Sequence, residues 1–332
     1  MSAIGGAGAC KPDDLDRLIL RLSSLLDGEQ AAADLVACGP PAVAPLRRFL
    51  LDGRPASLPQ PRLWAVRALA GLQAWDVLME YLRHPPQIQD AEVRFSEEVV
   101  ENAAALALAE RRTEDVFRVL LEVAAERLRP GVIEGLARFG RVEATLYLVD
   151  ALTDDFCRPV AEEGLRRLGP AAVAPLVTAA CTRRPSAADE SPSNLRRRRS
   201  ALRLLRDLRC DPPHWAPLRR LLSDPAESDP ELLGALAALA CDVGSRDDRT
   251  AALDRLLDML PRAPWYVHQE LEPMLLALFA SARPRLDLEI DARRRADATS
   301  SSSRTVLQML LRVRQRLDAA TDGTRNQDRG GR

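Results

Sequence analysis

Gly39-Pro40-Pro41-Ala42-Val43-Ala44-Pro45-Leu46 returns, with one change, as Gly169-Pro170-Ala171-Ala172-Val173-Ala174-Pro175-Leu176, 130 positions further along the chain. A match of that length marks an internal duplication. A duplicated chain written in short helical segments is a stacked array, in which each unit buries its apolar face against its neighbours. The correspondence extends outward from the octapeptide. Arg54-Pro55 matches Arg184-Pro185 at 130, and Val66-Arg67-Ala68-Leu69 matches Leu202-Arg203-Leu204-Leu205 at 136. Trp75, Leu78, Leu82 and Pro85 match Trp215, Leu218, Leu222 and Pro225 at 140, and Pro130 matches Pro264 at 134. The drifting offset places insertions in loops, which tolerate them, and keeps the helices in register. Two related modules follow, at about 35–164 and 165–283. If the helix begins near residue 41 or 42, Pro45 closes its first turn, where a missing N–H has no intrahelical partner to lose.

A shorter period lies inside each module. Gly135-Leu136 with Phe139-Gly140 recurs as Gly164-Leu165 with Leu168-Gly169 at a shift of 29, and Asp76-Val77 recurs as Asp115-Val116 at 39. Such units are helix pairs, and the punctuation by Gly, Pro and Asp predicts about sixteen helices with short connections between antiparallel neighbours. Ala44-Pro45-Leu46, followed by Val66-Arg67-Ala68-Leu69-Ala70-Gly71-Leu72, resembles the HEAT-repeat family, in particular the short HEAT-like repeats named after the phycobilisome lyases. The resemblance covers most of residues 30 to 280. It implies an all-α fold, an α-solenoid of stacked antiparallel helix pairs of HEAT/ARM type wound into a right-handed superhelix. Its shared residues are packing residues, so it implies a scaffold more than a chemistry.

Composition agrees with a helical chain. Of 332 residues, 46% are hydrophobic and only 4% aromatic, enough for a core but unlike a sandwich or barrel. Lys11 is the only lysine among 47 basic residues, an arginine bias that reads as a GC-rich, bacterial genome. The formal net charge of -1 supplies no general attraction to nucleic acid or an anionic membrane, so any such binding needs a local patch. The longest apolar run, Leu232 to Cys241, is about half of the ~20 residues that cross a bilayer. The opening residues lack the basic start and apolar core of a signal peptide, and 1–11 are expected to form a flexible leader. The six cysteines have no CxxC pair, which predicts buried, reduced thiols in a cytoplasmic protein rather than a disulfide framework.

No catalytic constellation stands out. His84, His214 and His268 are far apart and belong to no HExxH pattern, and the chain has no Walker-type loop, GxSxG elbow or strand-borne GxGxxG turn. The expectation is therefore no enzyme, no metal and no cofactor. The densest charge is Arg196-Arg197-Arg198-Arg199, continuing through Arg203, Arg206 and Arg209. Arg196, Arg199, Arg203 and Arg206 share one helical stripe, with Leu195, Leu202, Leu205 and Leu208 as the core side. Such a stripe suits an acidic partner protein, a solvated face, or phosphate.

Trp75 and Trp215 are equivalent across the modules and read as packing residues. Trp64, beside Arg67, is a candidate exposed anchor, against the plainer expectation of burial between Ala68 and Gly71. The long loop Thr182 to Asn194 is either a contact or a tolerated insertion. Residues 284–303 read as a linker. Val306, Leu307, Leu310, Val313 and Leu317 give 304–320 the pattern of an amphipathic helix that caps the array or docks elsewhere, followed by a disordered tail at 321–332.

The function expected from these patterns is a non-catalytic scaffold or adaptor that binds a protein partner on the concave solenoid face, through Arg196, Arg199, Arg203, Arg206, Trp64 and Arg67. Two alternatives stand beside it. A nucleic-acid-binding solenoid requires a continuous positive groove drawing also on Arg67 and Arg166, which interspersed acidic side chains would break. An accessory subunit of a cofactor-attaching lyase requires a chromophore-sized pocket.

Overall fold

The computed structural model describes residues 10–184, 190–295 and 301–329. The protein is all-α, with no strand among the described residues. Its helices gather into two compact units, Met1–Leu168 and Gly169–Arg332.

The first unit contains α1 (Pro12–Arg21), α2 (Gly28–Cys38), α3 (Val43–Arg47), α4 (Gln60–Gly71), α5 (Trp75–Arg83), α6 (Ala91–Ala109), α7 (Glu114–Glu126), α8 (Pro130–Phe139), α9 (Thr145–Ala151) and α10 (Arg158–Leu168). Helices α2, α4, α6, α8 and α10 pack side by side in that order, while α5, α7 and α9 form a second row against them. Each helix leaves one face for its own row and one for the other, so the core is a seam of Ala, Leu and Val between the rows. Leu69, Leu78, Val100, Leu108, Leu120 and Leu136 are among its fully buried members.

The second unit contains α11 (Val173–Cys181), α12 (Pro192–Asp207), α13 (Pro212–Ser223), α14 (Pro230–Val243), α15 (Arg246–Met259), α16 (Trp265–Ala280), α17 (Arg283–Arg295) and α18 (Ser301–Arg329). Here α12, α14, α16 and α18 form one row, and α11, α13 and α15 the other.

Local chemistry sets the helix boundaries. Gly39 and Gly169, the first residues of the repeated octapeptide, both take positive φ (70° and 61°), a conformation that favours glycine. A 3-10 turn then leads into α3 and α11, whose third residues are Pro45 and Pro175, still in the first turn as expected. Asp90, Ser191, Asp211, Asp229 and Ser245 cap α6, α12, α13, α14 and α15, their side-chain oxygens accepting backbone N–H groups left over at the helix starts. Ser245 and Asp248 complete a reciprocal capping box.

Three expectations are corrected. The segment 284–303 is not a linker: α17 occupies Arg283–Arg295, because Leu286 and Ile290 lie one turn apart and are both fully buried beneath a charged exterior. Residues 296–300 lie outside the described residues. The last helix does not stop at 320; α18 runs to Arg329, so only 330–332 of the expected disordered tail lie outside the described residues. Val306, Met309, Leu310 and Val313 bury its apolar face, and it packs along α16 and α17. Finally, Cys10 and Cys38 form a disulfide, so Cys10 and Lys11 do not belong to a free leader; the remainder, 1–9, lies outside the described residues. The pairing was invisible in the spacing because α1 and α2 bring together cysteines 28 residues apart.

Candidate partner-binding faces

In the first unit α4, α6 and α8 frame an open groove of about 680 Å³. Leu63, Trp64 and Ala70 of α4 and Ala103, Leu106 and Ala107 of α6 make its apolar floor, and Arg67, Glu110 and Arg138 stand on its rim. Trp64 is half-buried. The residue that accommodates it is Gly28 of α2, where an added Cβ would lie 2.7 Å from Trp64 Cδ1 and 2.9 Å from the Leu22 carbonyl oxygen. Gly71 instead takes Val36, at 2.9 Å from an added Cβ. Arg67 lies over the Trp64 ring at 5.7 Å and donates to Glu29 at 2.7 Å. Arg138 is satisfied by Glu134 one turn back on its own helix.

The duplicated face of the second unit has different chemistry. The offset of 136 carries Leu63, Arg67 and Ala70 onto Arg199, Arg203 and Arg206. Arg199 donates to Asp229 and Glu231, at 2.9 Å each, and Arg203 donates to Glu231 at 3.1 Å. Arg206 donates to Asp242 at 3.2 Å. The four arginines share a face of α12, but Asp229, which caps α14, and Glu231 and Asp242 within α14 answer three of them with a ladder of carboxylates in the same unit. Burial works against the charge on Arg199, but the Asp229 hydrogen bond and the charges of Asp229 and Glu231 together outweigh it and hold its pKa above the usual guanidinium value. Arg196 is half-buried. Arg166, in the first unit, pairs with Glu162 of its own helix.

The core side of α12 also differs from expectation. Leu202 and Leu205 are buried, whereas Leu195 and Leu208 are only half-buried, and Arg197 and Arg198 turn inward. Arg198 is wholly buried. It donates from Nε to the Ala180 carbonyl at 2.7 Å, to Glu190 at 2.6 Å, and to the buried Glu227, which Arg183 also reaches at 3.0 Å. The first unit holds the same device. Arg62, 136 positions earlier, donates to the Leu50 carbonyl at 2.7 Å and to the buried Glu97 at 2.7 Å, with Phe49 and Gly53 carbonyls nearby. Leu50 and Glu97 precede Ala180 and Glu227 by 130. The carbonyls lie at the end of the helical stretch before each arginine, the segment Arg48–Asp52 that continues α3 in one case and α11 in the other, and the guanidinium supplies donors from the next helix. Tyr81 adds a hydroxyl donor to Glu97, and burial followed by that carboxylate pushes its own proton loss far upward. Arg62 and Arg198 stand at the offset of 136 already found, but nothing in the sequence marks either as turning inward.

The remaining candidates have ordinary partners. The loop from Thr182 is pinned at its far end, where Asn194 donates to the Thr182 carbonyl at 3.2 Å; residues 185–189 of it lie outside the described residues. Trp215 donates to Asp248 at 3.1 Å, as befits a packing residue. The His268 ring contacts the Leu260 carbonyl at 2.9 Å, and His214 meets Asp211 at the start of α13. Among the described residues no group of three or more His, Cys, Asp or Glu could hold a metal ion, and no helix is long and apolar enough to cross a membrane.

No protein-family model and no curated protein matches the chain. Two solved structures, each described as an engineered protein of the Northeast Structural Genomics Consortium, are similar to it. One has 17% identity and a TM-score of 0.31, covering 91% of this chain and 99% of that one. The other has 17% identity and a TM-score of 0.18, covering 92% and 97%.

Proposed function

We propose that the protein is a non-catalytic scaffold, an α-solenoid of HEAT-like helix pairs, whose α4–α6–α8 groove binds the apolar face of an amphipathic helix from a partner protein. The observation that carries this reading is the contrast between the groove and the arginine stripe. Apolar floor residues such as Leu63 and Leu106 are half-exposed in a concave surface of about 680 Å³, with half-buried Trp64 close against Gly28 of α2. A fixed aromatic beside small residues is the kind of feature that dominates helix-in-groove binding. Glu110 stands exposed on the rim, and among the described contacts no cation pairs with it; Arg67 and Arg138 already have carboxylate partners. The complementary segment therefore places a basic side chain opposite Glu110 and large apolar ones over Ala103 and Ala107.

The arginine stripe fits a structural role better than an acidic partner or phosphate. Its free charge is compensated by Asp229, Glu231 and Asp242, and a partner would have to displace carboxylates already in place. This is the interruption that argues against a nucleic-acid groove.

A photo-crosslinking residue at Leu106 would identify the segment that lies in the groove, and the affinity of that segment would then be measured for variants. Ala107→Glu, on the half-exposed floor, is expected to weaken binding at least about tenfold, while Arg203→Glu leaves it within about twofold. The opposite pattern would overturn the groove as the binding face.

A further inference from the structure

We propose that the Cys10–Cys38 bond is a redox latch on α1, opened by a dithiol reductant entering the cleft beside it. Cys10 lies two residues before α1, and Cys38 is the last residue of α2. Both sulfurs' residues line an open cleft of about 600 Å³ together with Asp14, Arg17, Arg21 and Asp34. The bond thus lies at an open cleft in which Arg17 and Arg21 are each paired with an aspartate, so no net negative charge turns away an attacking thiolate.

The other cysteines lack this character. Cys157 and Cys210 are buried, which pushes their thiols up to about 12 and about 11, and burial also raises Cys181 and Cys241. They are poor thiolates in the native protein.

Without the bond α1 is weakly held. Leu15 is its only buried residue, with Leu22 buried just after its end, while Leu20, Leu25 and Leu26 are 74%, 65% and 94% exposed. Its ion pair to α2, Arg21 with Asp34 at 3.6 Å, is between exposed side chains and contributes little. The covalent link is therefore the principal restraint on the helix.

In the reaction, one thiolate of the dithiol attacks a sulfur of the bond. The S–S bond breaks, its electron pair leaves on the other cysteine, and water protonates that thiolate. The second reductant thiol loses its proton and attacks the mixed disulfide, releasing the remaining cysteine. The protein disulfide gains two electrons and two protons, and the dithiol becomes a disulfide. This inference stands whether or not the groove binds a partner.

The test uses the full chain, oxidised and after treatment with dithiothreitol, read by alkylation and hydrogen exchange. Alkylation of the reduced native protein is expected at Cys10 and Cys38, with the other four cysteines protected. Exchange over Pro12–Arg21 should rise at least about tenfold while α4, α6 and α8 keep theirs. The Cys10→Ser/Cys38→Ser variant should show the fast exchange without reductant and no response to it. A bond that resists dithiothreitol until the protein unfolds would overturn the latch, as would equal α1 exchange in both states. Loss of protection throughout the first unit, in the reduced protein and in the variant, would do the same by making the bond a general staple.

Discussion

The two units carry the same buried device beneath different surfaces. Arg62 and Arg198 each cross from one helix to the open carbonyls of the preceding helix and to a buried glutamate. Above Arg62 the duplicated face is apolar, with Leu63, Trp64 and Ala70; above Arg198 it is Arg199, Arg203 and Arg206 laced to acids. Packing at a helix junction constrains what lies inside, because a buried charge tolerates few geometries. The outward face is not so constrained and has diverged. The difference teaches that shared residues report architecture and unshared ones report use.

The largest effect expected from breaking the comparison is at the buried arginines. Arg62→Ala should cost about 3–5 kcal/mol of unfolding free energy in denaturant titrations, since it strands the Glu97 carboxylate and the Leu50 carbonyl. Arg198→Ala should cost less, because Glu227 keeps Arg183 while Glu97 keeps only the neutral Tyr81 hydroxyl as its described donor. A reversed order would mean that Arg183 does not compensate Glu227 for the loss of Arg198.

A second contrast lies at the starts of α8 and α16, where Gly131 and Trp265 correspond at the offset of 134 set by Pro130 and Pro264. An added Cβ at Gly131 would come within 2.4 Å of the Asn102 carbonyl oxygen, which is backbone and cannot swing aside. Gly131→Ala should therefore lower stability by about 1–3 kcal/mol. Trp265 is 71% exposed, and Trp265→Ala should change stability by less than about 0.5 kcal/mol. Equal losses in thermal melts would show that α16 depends on Trp265 for its seating.

The smallest effects belong to the stripe. Arg203 and Arg206 are each 55% exposed at the side chain, and exposed pairs of this kind are worth about 0–1 kcal/mol. Arg203→Ala and Arg206→Ala should each fall in that range and shrink further in high salt, as Coulomb attraction between exposed charges is screened. A larger, salt-insensitive loss would move the stripe from surface ladder to core element.

The sequence alone determined that the chain is helical, where its two halves correspond and which residues lie in the first turns after Gly39 and Gly169. Those features follow from local chemistry and from an offset that can be measured on one dimension: Gly and Pro punctuation, helical periodicity, repeated text. It also supplied the arginine stripe, since residues three and four apart share a helical face. Tertiary structure decided the rest. Whether Arg199 meets solvent or Asp229, whether Trp64 leans on Gly71 or Gly28, and whether Cys10 finds Cys38 depend on neighbours some 28 to 36 residues away in the chain. Arg196 to Arg199 make the point most plainly: four identical residues, of which the fold buries two. Periodicity locates a side chain around its own helix axis, but only the packing of the next helix determines whether it meets water, a carboxylate or a carbonyl.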